Sequence, residues 1–279
     1  MPHYKNRVQM DASTELRRYI TLDAFEHIFR SGQLRLTRID KFLDRFEGSV
    51  PMKQIHDQTP IFSTKNLDQL RCLASYYPNM SLPPRPRIDG QTKMKLWRQA
   101  MTRSAHASCW TAGPESEAMW RLYCRENNEP EDQGIVLQST LGKVEASVEN
   151  HDLFVGPIRY RYYHEGDAFD DDLDPFMHKR QGFAHEQEVR LLKLDMSHYL
   201  ALAEAIANGD LDTSTPPELP DHIFLDWSPA TVIERITISP YADESYETRA
   251  RNTIASIVPS LVDRLELSVL SERLYPPQF

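Results

Sequence analysis

The sequence predicts an α+β protein: one domain spanning residues 1–279, with a mixed, largely antiparallel sheet flanked by helices. Three observations carry that expectation. Stretches with period-2 alternation and stretches with helical spacing are interleaved without the regular strand–helix–strand rhythm of a parallel α/β fold. The chain has 279 residues, 40% hydrophobic and 26% charged, which is enough apolar material for a sizeable core. The proline-rich stretches have strand signals on both sides, so they read as loops within one domain.

Element by element, Leu22 to Arg30 places Leu22, Phe25, Ile28 and Phe29 at helical spacing, and Gly32 follows as a stop. Leu34 to Ile39 alternates and predicts a short strand, followed by a polar, aromatic turn over Asp40 to Gly48. Residues 49–90 are weakly patterned, and Pro78, Pro83, Pro84 and Pro86 make their second half a loop. Gln91 to Ser104 reads as a helix, Ala105 to Trp110 as a short strand, and Gly113-Pro114 as the start of a helix reaching Cys124. Gly134 to Gln138 is an apolar strand, and Phe154 to Tyr163 a longer one. Asp167 to Asp174 holds five aspartates; it lacks the glycine and terminal glutamate of a calcium loop and reads as solvated. Glu188 to Leu194 is a strand, Ser197 to Asn208 an alanine-rich helix, and 210–222 a loop. Val232 to Ile238 is a strand, Ala242 to Ile257 an amphipathic helix, and Leu265 to Leu270 a last strand.

Composition narrows the function classes. The net charge of -9 argues against generic duplex binding, although Arg98, Arg103, Arg121 and Arg125 leave room for a local basic groove. Cys72, Cys109 and Cys124 form no CxxC pair, and the odd count disfavours a disulfide framework. No histidine stands at zinc-ligand spacing from them, so no metal is expected. The N-terminal segment lacks the apolar region of a signal peptide, and no run approaches about 20 apolar residues. The expectation is a soluble, cytoplasmic protein. No GxGxxG, GxxxxGK[ST] or GxSxG motif occurs.

The segment Phe183-Ala184-His185-Glu186-Gln187-Glu188-Val189-Arg190-Leu191-Leu192 is the most informative in the chain. If it is all strand, Glu186, Glu188 and Arg190 share one face, with the two carboxylates roughly 6–7 Å apart. A charged row on an otherwise buried strand implies either a polar cleft or a structural ion-pair ladder. Ser108 and Trp110 share a strand face, and Trp120 and Tyr123 share a helix face. Together these offer a hydroxyl and aromatic rings for a planar ligand, or simply aromatic core packing. Arg35, Arg38 and Arg45 around a turn suit phosphate oxygens, or Arg38 and Arg45 pair with Asp44 and Glu47 as a surface network. Lys179-Arg180, just ahead of the glutamates, is a further candidate site or a pair that snorkels from a helix; His185, beside Glu186, offers proton transfer or is structural.

In this order, Leu34-Arg35-Leu36-Thr37, Phe42-Leu43-Asp44-Arg45-Phe46-Glu47, Ser108-Cys109-Trp110, Met119-Trp120-Arg121-Leu122-Tyr123, Gly134-Ile135-Val136-Leu137, Ile158-Arg159-Tyr160, Lys179 and His185-Glu186-Gln187-Glu188-Val189-Arg190 resemble a bacterial family known as "domain of unknown function 2971". The resemblance spans about residues 15–195, leaving 196–279 as a strand–helix–strand extension. Leu43 and Arg45 depart from the Asn and Pro of the family's turn, and Trp110-Thr111 from its Phe-Ser. An arginine on an early strand, a serine on a middle strand and a Glu-x-Glu on a late strand are also similar to arginine-serine-glutamate ADP-ribosyltransferases. That similarity implies NAD as substrate, a protein or nucleic acid as acceptor, and a role as a toxin or phage-defence effector. It implies that Arg38 or Arg35 holds the NAD pyrophosphate and that Ser108 supports the nicotinamide ribose. Trp110 or Tyr123 would stack the nicotinamide, with Trp120 and Arg190 in the same binding set. Glu188 would stabilise the oxocarbenium-like transition state, and Glu186 would orient or deprotonate the acceptor. The alternatives are a nucleotide or N-glycoside hydrolase using both acids, and a non-enzymatic ligand-sensing or interaction module. The enzymatic readings require Ser108, an arginine and the two acids to converge on one hollow.

Overall fold

The computed structural model describes residues 9–51, 98, 101–124, 133–164, 169, 173–195 and 220–271. The helices expected over 91–104 (apart from 98 and 101–104) and 197–208, the loop expected at 210–219, and Cys72 lie outside the described residues. The fold is α+β, with a mixed, mostly antiparallel sheet flanked by helices.

The strands, in chain order, are β1 (Glu15–Ile20), β2 (Gln33–Arg38), β3 (Ala105–Thr111), β4 (Ile135–Thr140), β5 (Phe154–Pro157), β6 (Arg159–Arg161), β7 (His178–Arg180), β8 (Glu188–Leu194), β9 (His222–Asp226), β10 (Arg235–Ile238) and β11 (Leu265–Leu267). The helices are α1 (Leu22–Ser31), α2 (Glu117–Tyr123), α3 (Leu141–Val148), α4 (Pro229–Val232) and α5 (Glu244–Ile257). Helix α1 forms as its residues dictate. The Thr21 hydroxyl accepts from the Ala24 N–H at 3.2 Å, Leu22, Phe25 and Ile28 bury one stripe, and Gly32 closes the helix at φ 63° with its N–H on the Ile28 carbonyl.

β3 organises the main sheet. One of its edges carries β8 along its whole length, and β5 lies beyond β8. Its other edge is shared. β1 meets it at Arg17–Thr111, and β2 meets it at Thr37–Ala107 and Arg38–His106. Between those contacts the edge at Ser108, Cys109 and Trp110 carries neither strand. β4, β10 and β11 continue outward from β1, and β9 continues from β2. The described strands beyond residue 195, β9, β10 and β11, therefore belong to the same sheet. One face packs the larger core, including Leu16, Leu34, Leu36, Trp110, Val189 and Leu191 against α1, α3 and α5; the other packs Ala105, Ala107 and Leu192 against Ile158, Phe176 and Met177.

Several elements differ from the sequence expectation. The strand expected over Phe154 to Tyr163 breaks at Ile158. Pro157 cannot continue the ladder, and Ile158 and Arg159 donate to the Glu188 and Met177 carbonyls, which transfers the chain to a small parallel pair, β6–β7. Gly113-Pro114 starts no helix: Gly113 is held by the Arg17 guanidinium and the Thr111 hydroxyl, and α2 begins at Glu117. β1, β9 and α3 carry no mark in the sequence reading, although β1 sits at the centre of the sheet.

Candidate functional site

The unpaired stretch of β3 opens into a cleft of about 480 Å³, within the range of small-molecule sites. Its lining includes Arg18 from β1, Arg35 from β2, Ser108, Cys109 and Trp110 from β3, Tyr123 from α2, and Lys179, Glu186 and Glu188. Residues distant in sequence meet here because β1 and β2 part along one strand edge.

The floor carries hydrogen-bonding atoms without partners. Ser108 is 2% exposed and its hydroxyl is unpartnered; Trp110 Nε1 and Arg18 Nη1 are buried without acceptors. All three can donate. Arg18 lies 5.9 Å from the Trp110 ring centroid. Burial lowers the Arg18 guanidinium to about 10, with nearby Arg35 pushing the same way. Neither Arg18 nor Arg35 has an acidic partner within ion-pair distance among the described residues, so no described carboxylate pairs with either cation at this end of the cleft. Trp110 packs edge-on against Trp227 and carries Arg18 near its face, which makes it a donor to the cleft rather than an open stacking surface.

The other end is acidic and tightly bonded. Lys179 Nζ donates to Glu186 Oε2 at 2.6 Å and Glu188 Oε2 at 3.1 Å, with Glu47 Oε1 at 3.7 Å. Arg190, fully buried, donates to Glu188 Oε1, to both Glu47 oxygens and to the Phe176 carbonyl. Tyr123 donates its hydroxyl to Glu186 Oε1 at 2.7 Å. Burial raises Tyr123, and Glu186 beside it adds to the rise. Burial alone would raise Glu188; Arg190 and Lys179 outweigh it and hold the carboxyl at about 2. Cys109 is pushed up by burial and by Glu188, so its thiol stays protonated and is a poor nucleophile.

Arg35, Ser108, Trp110, Tyr123, Glu186 and Glu188 thus line one cleft. Three residues of the expected set do not. Arg38 points to the opposite face from Arg35, where it pairs with Asp40 at 2.7 Å and Asp221 at 3.0 Å. Trp120 is fully buried, edge-on to Tyr19, with Nε1 bonded to Glu115. Arg190 lies beneath the acids rather than in the opening. Nor do Glu186 and Glu188 belong to one strand. Glu186 ends a 3₁₀ turn (Gln181–Glu186), Gln187 is left-handed at φ 41°, and only Glu188 starts β8. Their carboxylates meet because both reach Lys179. The turn acids pair differently from expectation too: Asp44 holds Arg180, and Glu47 holds Arg190 and Lys179. Arg35, Arg38 and Arg45 form no common phosphate site.

The register also separates the groups. Thr111 faces Glu188 and Cys109 faces Arg190 across β3–β8, so Ser108 and Trp110 project to the opposite side of the sheet from the acids. Residues from both sides nevertheless line the one cleft, which lies where β1 and β2 part along β3. Arg18 and the central role of Lys179 were missed in the sequence. The pair Arg17-Arg18 disrupts the alternation of β1, and Lys179 reads locally as a solvated lysine. Among the described residues no cluster of metal-ligating side chains occurs, and no helix is long and apolar enough to cross a membrane.

No family model matches the chain, so the resemblance to the domain of unknown function 2971 stands on its motifs. No curated protein matches it in sequence. Among solved structures, DarT from Thermus sp. 2.9, in complex with ADP-ribosylated ssDNA, overlaps 94% of this chain and 97% of its own, at 12% identity and a TM-score of 0.32. Overlap of that degree does not establish a common fold.

Proposed function

We propose that this protein is an NAD-consuming glycosyl-transfer enzyme of the ADP-ribosyltransferase kind. One observation carries the reading: a gap in the sheet presents unpaired donors and cations at one end and an ionised carboxylate at the other. A dinucleotide has the matching polarity, with anionic phosphates beside a sugar that becomes cationic as its N-glycosidic bond breaks. Arg18 and Arg35 suit the diphosphate, and Ser108 and the Trp110 indole N–H suit phosphate or ribose oxygens. The exposed Tyr123 ring suits the nicotinamide. Glu188 stabilises the oxocarbenium-like transition state as a fixed anion. A carboxyl held near 2 has no proton to donate at neutral pH, which weighs against Glu188 as the acid of a hydrolytic acid–base pair.

The test is incubation with NAD, following nicotinamide release with and without cell extract. Release that needs extract supports transfer, and release without it supports hydrolysis. Glu188→Gln should lose release by about 10²-fold or more with the fold retained. A second reading is favoured by the buried Arg190: the charged cluster is a structural clamp and the cleft a ligand-sensing or interaction surface. Wild-type protein that neither binds NAD nor releases nicotinamide would favour that reading instead.

A further inference from the structure

The Lys179 ammonium has three carboxylates around it and a place in the cleft wall, and no step described so far uses it. It arrives from β7, outside the main sheet, where it lies opposite Tyr160 of β6. Its surroundings are Glu47 from the turn after β2, Cys109 from β3, Tyr123 from α2, Tyr160 from β6, and Glu186, Glu188 and Arg190 around the start of β8; the Phe183 ring lies 4.8 Å from Nζ. The neighbouring cations Arg190 and Arg180 are committed elsewhere. Arg190 spends its nitrogens on Glu188, Glu47 and the Phe176 carbonyl, and Arg180 is bound to Asp44.

We propose that Lys179 is the positioning residue of this site: its ammonium, shared between Glu186 and Glu188, holds the two carboxyl groups side by side facing one ligand. The inference rests on Glu188 being the acid that stabilises the transferring sugar. With Lys179 in place, three buried carboxylates face two cations. Without it they face one, and Glu186 keeps only the Tyr123 hydroxyl among its described side-chain partners. Carboxylates crowded together at that charge balance share a proton. Protonation then removes the fixed negative charge on which the chemistry depends.

The experiment is a carboxyl ¹³C NMR titration of glutamate-labelled protein, read beside nicotinamide release. In wild-type protein the Glu188 carboxyl should show no titration between about pH 5 and 8. Lys179→Met should introduce a carboxyl that titrates in that window and disappears again in Lys179→Met/Glu186→Gln. Release by Lys179→Met should fall about tenfold or more at pH 7 and recover as the pH rises, through kcat rather than KM for NAD. Lys179→Arg should keep most of the activity, and ethylammonium should restore part of it to Lys179→Ala. A wild-type Glu188 that titrates between pH 5 and 8 overturns the proposal even if the methionine variant does not fold. So does a folded Lys179→Met with no new titration. The NMR arm reads the acids directly, so an enzyme without nicotinamide release fails the functional reading alone, and intact release with a failed titration removes Lys179 alone.

Discussion

Replacing Ser108 with alanine should make the protein more stable and less functional. The hydroxyl is buried without a hydrogen-bond partner, and a buried unpaired polar group costs about 1–3 kcal/mol. Alanine removes that cost and leaves a void of a single oxygen. Its poorer fit to a strand offsets a few tenths of a kcal/mol. The expected net gain is about 1 kcal/mol, read as a higher urea midpoint at unchanged slope. If Ser108 donates to NAD as proposed, the same change removes a hydrogen bond to the ligand, about 0.5–1.5 kcal/mol for a neutral partner and up to about 3 kcal/mol for a phosphate. That corresponds to a loss of NAD affinity or turnover between a few-fold and about a hundredfold. On the proposed reading the two effects have opposite signs, because the orphaned hydroxyl would serve a partner that is not part of the chain. A Ser108→Ala protein that loses more than about 1 kcal/mol of stability while handling NAD normally would show that the hydroxyl is structural, and the donor set at the cleft floor would lose its argument.

Three further outcomes follow from the geometry. Arg190→Met should cost about 3–5 kcal/mol in urea unfolding, because Glu47 and Glu188 lose a fully buried counter-ion; a loss below about 1 kcal/mol would mean that the cluster is not a clamp. Glu188 is held at about 2 against an ordinary 4.5, so it contributes about 3 kcal/mol that is present above about pH 4.5 and lost as the pH falls towards 2. The unfolding free energy of wild type relative to Glu188→Gln should therefore decline over that window, and a difference independent of pH contradicts the assignment. Gly134→Ala should cost about 1–3 kcal/mol in thermal or urea unfolding, since the added methyl would meet Cys124 Cβ at 2.5 Å and the Ile20 carbonyl at 2.8 Å; an unchanged midpoint would show that the strand shifts freely.

Much of the sheet could be read along the chain. Leu34 and Leu36 alternate with Arg35, and Val189 and Leu191 with Arg190, so β2 and β8 announce themselves. The stripe of α1 and its Gly32 stop are equally local signals. β1 was illegible because Arg17 and Arg18 follow one another, one bonded to Gly113 and the other turned to the far side of the sheet beside Trp110. Side-chain reach, which no periodicity encodes, lets both charges sit on a central strand.

The local sequence therefore determined the α+β class, most of the strands and residues that line the cleft: an arginine on β2, a serine on β3 and two acids by β8. Tertiary structure decided which of them meet. Alternation groups Arg38 with Leu34 and Leu36, but that the cleft opens on the other face of β2, where Arg35 lies, depended on how β1 and β2 meet β3. That Lys179 gathers Glu186 and Glu188 depended on the left-handed turn at Gln187 and on β7 lying beside β6. The reason is one of range: alternation acts over neighbouring residues, whereas the opening between β1 and β2 is set by where two strands meet a third.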